Sequence, residues 1–145
     1  MQKINFNDRY GLTQAVIEGR KTMTRRVIKP QPYDIVDGPF GLAAWAGPNE
    51  RSYDLKTRFS VGEVVAVAQS YRTLLEREGV PFKKLCGGIE ANNIKWYNKL
   101  FVRADLMPHQ IRITGISCER LQDISDEDCI KEGVRGEGIG FFVPE

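Results

Sequence analysis

Five cationic side chains fall within ten positions near the start of the chain: Arg20, Lys21, Arg25, Arg26 and Lys29, in the stretch EGRKTMTRRVIKP. Thr22 and Thr24 stand among them, so hydroxyls lie beside amines and guanidiniums. The chain carries 21 Lys and Arg against 19 Asp and Glu, and without these five, 16 basic residues face the 19 acids. One positive stretch on a mildly acidic body suits a phosphate, a carboxylate or a nucleic-acid backbone. A plainer role fits the same residues: cations that follow a helix complement the negative end of its dipole and stay solvated.

A second candidate lies late in the chain. Ser125 and Asp128 have the spacing of a capping box, with Ile124 and Cys129 as the apolar staple, and Asp126, Glu127 and Asp128 load the first turn with negative charge. The helix they open is expected to pass through Ile130 and stop at Gly133. Glu132 then falls in the last turn, where the dipole disfavours a carboxylate. Such an acid takes a proton more readily or takes a cationic partner, and Lys21 is of the right kind. The plain alternative is a solvated surface glutamate.

The elements that must position these groups follow from patterning. KINF at Lys3–Phe6 reads as a short strand; Leu12, Ala15 and Val16 recur at helical spacing, and Gly19 suits the left-handed cap of that helix. Residues 22–28 read as extended, ended by Pro30 and Pro32, and 33–59 as a long irregular excursion around Trp45 with room for one short hairpin. Val64–Ala68 is a near-continuous apolar run, hence a buried strand. LLEREG allows one or two helical turns, CGGIEANN is loop, WYNKLFVR at 96–103 reads as a strand, and the alternation from Ile111 to Ser117 as another. The class is α+β, mainly β.

At 145 residues and 16.5 kDa the chain is one domain, with 41% hydrophobic and 28% charged residues, ordinary for a soluble globular protein. The start lacks an apolar signal region and no apolar run approaches the roughly 20 residues of a membrane span, so a cytoplasmic protein without membrane partners is expected. Cys86, Cys118 and Cys129 are odd in number and form no CxxC pair; they read as reduced packing residues. With His109 as the lone imidazole, neither a zinc site nor a Ser-His-Asp triad is expected, and no cofactor is implied. Gly136, Gly138 and Gly140 lack the strand-turn-helix context of a nucleotide fingerprint.

The blocks GRKTMTRRVIKP, VGEVVAVAQSY and MPHQIRITGISCERLQDISDEDCIKEGV resemble the ASCH (activating signal cointegrator homology) family, over most of the chain from Lys3 to Val134. The resemblance implies a small β-barrel of the PUA-like type, with short helices at its openings and a cleft where the first block meets the last helix. Such folds bind RNA or modified nucleobases. The bacterial and phage branch is similar to N4-acetylcytidine amidohydrolases, whose Gly-Arg-Lys-Thr-x-Thr motif and late glutamate match Lys21, Thr24 and Glu132 as catalytic candidates. Arg20, Arg25, Arg26 and Tyr71 are the substrate-binding candidates, since guanidinium planes hold phosphates and stack on bases. Trp96 is expected in the core. Thr24 would attack the acyl carbon, and Lys21 would take its proton if the amine were neutral, well below its reference value of about 10.4. Glu132 would orient the pair or protonate the leaving amine, rather than form a tight ion pair with Lys21.

Two departures matter. Gln69-Ser70-Tyr71 stands where many relatives have a Glu-Thr-Trp-like ending, so the role of that glutamate does not carry over. The ending RGEGIGFFVPE offers only Phe141, Phe142 and Val143 as strand material, less than the family's closing strand, and an unclosed edge favours dimerisation. The alternative to an enzyme is a noncatalytic RNA- or nucleotide-binding module using the same cleft. A protein-interaction accessory is the third reading.

Overall fold

The computed structural model describes residues 1–29, 31–38, 41–45, 47, 52–87, 93–137 and 140–142. At its centre is β5 (Val64–Val67), flanked by β1 (Lys3–Ile4) in parallel and β6 (Gln110–Arg112) antiparallel, with Ile4 opposite Val67 and Val64 opposite Arg112. The unbroken apolar run is explained by two covered faces. Val65 and Val67 join Ile4 and Phe6 on one side, where Leu12, Val16 and Ile17 pack against them. Ala66 points to the other, among Leu74, Leu85, Val102, Leu106 and Met107. Each face is therefore a core.

Helix α1 (Leu12–Ile17) covers the first face and ends through Gly19, whose φ of 75° lets its N–H reach Val16 O at 3.0 Å. Helix α2 (Tyr71–Glu76) is capped by Ser70, and α3 (Phe82–Cys86) follows on the second face. Helix α4 (Asp126–Lys131) starts where the capping box predicts, the Ser125 hydroxyl accepting from Asp128 N at 3.2 Å, and it closes through Glu132 and Gly133. Ser125→Ala should cost about 1 kcal/mol in urea unfolding, and Ser125→Asn should recover it.

Several expectations need correction. The excursion at 33–59 holds more than one short hairpin: β2 (Asp34–Gly38), β3 (Gly41–Trp45) and β4 (Ser52–Asp54) form a three-stranded antiparallel sheet, with Asp34 opposite Trp45 and Trp45 opposite Ser52. Each strand is too short to show a period by itself, and cross-strand pairing supplies what local pattern lacks. WYNKLFVR is not a strand. It coils into 3-10 turns at Lys99–Phe101 and Ala104–Leu106. The Asn98 side chain accepts from Leu100 N, and the Lys3 ammonium, from the start of the chain, collects the carbonyls of Lys99, Leu100 and Val102, so one local bond and three long-range ones override β propensity. The strand expected from Ile111 to Ser117 is shorter, β6 stopping at Arg112, and residues 22–28 belong to no strand among the described residues.

At the end of the chain, β7 (Arg135–Glu137) and β8 (Gly140–Phe142) make a hairpin that includes Phe141 and Phe142; Val143 and Pro30 lie outside the described residues. The class is α+β. Among the described residues the three sheets stay separate and close no barrel, and no helix is long and apolar enough to cross a membrane.

Candidate active site

The basic stretch crosses the C-terminal end of α4. After Gly19 reverses the chain, Lys21 N donates to Ala15 O at 3.0 Å, and Thr22 N and Met23 N both donate to Lys131 O, at 2.8 and 3.0 Å. The last carbonyls of a helix have no partner of their own, and this segment supplies donors. The Lys21 side chain adds one more: its Nζ donates to Glu132 O and to Met23 O, each at 2.7 Å. Only 5% of Lys21 is exposed, and its ammonium stands 6.0 Å from the centre of the Phe6 ring.

Burial lowers the proton affinity of the Lys21 amine. The Glu132 carboxylate pulls the other way, Arg25 and Arg26 add to the lowering, and the net direction is down. That is the direction a general base requires.

Glu132 and Lys21 do meet, but through the main-chain oxygen of Glu132. Its carboxylate is held by Arg25, whose Nη1 lies 2.5 Å from Oε1. The same guanidinium places Nε 2.6 Å from Glu119 Oε1, and Nη2 3.2 Å from Asp128 Oδ2 without hydrogen-bond geometry. The bond to Glu132 raises the Arg25 pKa well above its ordinary value, so the cation is permanent. Thr24 is exposed, directly follows the carbonyl that holds Lys21, and its hydroxyl has no hydrogen-bond partner among the described residues.

The remaining candidates scatter. Arg20 pairs with Glu18 at 2.7 Å on the surface, and Arg26 is exposed and donates to Asn5 O at 3.1 Å. Tyr71 is buried among Leu74, Leu85 and Val102, and lines a hollow of about 220 Å³ with Ile94, Lys95 and Phe101 rather than the basic stretch. Trp96 packs against that same core and stacks on Phe82 at 5.8 Å, whereas Tyr97 is 73% exposed with the Arg72 guanidinium over its ring.

Two polar groupings lie outside the sequence candidates. Gln69 is buried and donates to Glu78 Oε1 at 2.7 Å, while His109 Nε2 lies 3.0 Å from Glu78 Oε2. Burial pushes the Glu78 carboxyl up, but the bonds from Gln69 and His109 outweigh it and the net direction is down. The departure at position 69 therefore sits at the buried end of a part-exposed polar chain, Gln69–Glu78–His109, and a glutamine ending an apolar run was its one sequence signal. Lys99 Nζ joins Asp8, Thr13 and Phe6 O, and borders a hollow of about 460 Å³ lined by Asn5, Phe6, Tyr97, Asn98 and Leu100. Phe6 is common to this hollow and to the surroundings of Lys21.

Among the described residues no group of His, Cys, Asp and Glu is arranged to hold a metal, and none of the three cysteines is in a disulfide. Comparison with protein-family models, with curated proteins and with solved structures gave no match to this chain.

Proposed function

We propose that this chain is an amidohydrolase that removes an acyl group from the exocyclic nitrogen of a cytidine-type nucleoside, on a PUA-like scaffold. One observation carries most of this reading: a buried lysine, depressed in proton affinity, is fixed by two carbonyls at the peptide that leads into a solvent-facing threonine. Thr24 Oγ attacks the acyl carbonyl while the neutral Lys21 amine takes the hydroxyl proton. The tetrahedral adduct collapses, the C–N bond breaks, and the Lys21 ammonium returns the proton to the leaving nitrogen. Water then cleaves the acyl ester of Thr24, with Lys21 again as base. Glu132 orients the amine through its carbonyl, and the open hollow that shares Phe6 with the surroundings of Lys21 is the candidate seat of the base.

The expected result is cytidine formation from N4-acetylcytidine, followed by chromatography, with at least a 100-fold loss in Thr24→Ala. No release by the full chain removes the enzyme reading for this substrate, and release unchanged in Thr24→Ala removes the nucleophile. A second reading, a noncatalytic RNA-binding module, is favoured by the exposed Arg26 and the exposed, cation-covered Tyr97. It would show as salt-dependent oligonucleotide binding without turnover.

A further inference from the structure

The lysine–threonine pair depends on what its acidic neighbour does. Glu132 belongs to the same turn as the carbonyl that holds Lys21, so its carboxylate is close enough to act on the amine. An ion pair there would keep the lysine charged and useless as a base. The carboxylate instead goes to Arg25, which stretches across α4: Nη1 to Glu132 at 2.5 Å, Nη2 towards Asp128 at 3.2 Å, and Nε to Glu119 at 2.6 Å. An arginine can do this where a lysine cannot, because its planar fork serves several acids at once and never loses its proton.

We propose that Arg25 is a positioning residue: by holding the Glu132 carboxylate it keeps that negative charge off the Lys21 amine and leaves the amine on the Met23–Thr24 peptide. The proposal rests on the reading of Lys21 as the base. The charged groups acting on this amine are Glu132 from the end of α4, and Arg25 and Arg26 from the basic stretch itself. From α1 and the segment after β1 the neighbours are apolar: Ala15 and Leu12 lie with Lys21 around Gly133, and the Phe6 ring is 6.0 Å from the ammonium. Arg25 therefore acts twice in the same direction. It adds positive charge near the amine and restrains the one negative charge that opposes it.

The test follows the ionisation of Lys21 itself, independent of any substrate. The full chain is labelled with lysine carrying ¹³C at Cε, the Lys21 signal is identified by its loss in Lys21→Arg, and its shift is followed with pH by NMR. In Arg25→Gln the titration should move to higher pH, because a cation is gone and the carboxylate is released. In Glu132→Gln it should move to lower pH, and in Arg25→Lys it should fall between wild type and Arg25→Gln. A group that merely braced α4 would change unfolding but not this ordering. If Arg25→Gln does not fold, Glu132→Gln and Arg25→Lys still decide. Identical titration in wild type, Glu132→Gln and Arg25→Lys overturns the proposal. Failure to release cytidine while the ordering holds would instead remove the amidohydrolase reading and leave the electrostatic role of Arg25 standing.

Discussion

Lys21→Met should abolish measurable deacylation while leaving the fold in place. General-base catalysis by a positioned side chain is worth about 10² to 10⁴ in rate, and the methionine removes all of it. Stability should change little, because two opposing effects are exchanged. Methionine relieves the cost of holding an amine at 5% exposure, but it strips Glu132 O and Met23 O of their shared donor. The pH dependence separates the two. Folding depresses the proton affinity of Lys21, so its burial costs nothing above the unfolded value of about 10.4, and the cost grows as pH falls towards the folded value. Urea unfolding of wild type across this alkaline range should show stability rising with pH, and Lys21→Met should lose that component. A variant that kept turnover would show that the base lies elsewhere.

Gly133→Ala should damage both stability and activity. Gly133 has a φ of 90°, a conformation that costs an alanine about 1 to 2 kcal/mol. A methyl group there would also meet Lys21 Cβ at 3.3 Å and Ala15 Cβ at 3.5 Å, with Leu12 at 3.6 Å. Only the Lys21 contact is tight, the other two being ordinary van der Waals distances, and Lys21 cannot yield freely because it is fixed at both its amide and its ammonium. We expect about 2 kcal/mol of lost stability in all. A shift of only a few tenths of an ångström at Lys21 should also lower turnover more than the fraction of unfolded protein explains. Circular dichroism melting beside single-temperature rates would check both, and a fully active Gly133→Ala would contradict the close packing of α1, Lys21 and the end of α4.

What could be read from the sequence was whatever local chemistry decides. Gly19 as a helix stop, Ser125 with Asp128 as a helix start, and the apolar run of β5 are each fixed by one side chain or one pattern. Lys21 near Glu132 was also accessible, because a helix end and a basic stretch complement each other. Which atom of Glu132 would be used was not, since that is set by Arg25 reaching Glu119 and Glu132, 94 and 107 residues away. The sheet of β2, β3 and β4 escaped for the same reason: its order comes from register between strands. WYNKLFVR misled because its aromatic and branched residues suit a strand, while Lys3 and Asn98 supply polar bonds that no window around 96–103 contains in full. Tyr71 looked available to a ligand by its residue type, and the packing of α2 onto Ala66 buried it.

The most direct measurement is the pH–rate profile for cytidine release from N4-acetylcytidine by the full chain. A lysine base with depressed proton affinity predicts a rate that rises with pH through one ionisation below the ordinary lysine value and then levels off. Cytidine release absent at every pH, or present with the same profile in Lys21→Met, would contradict the account.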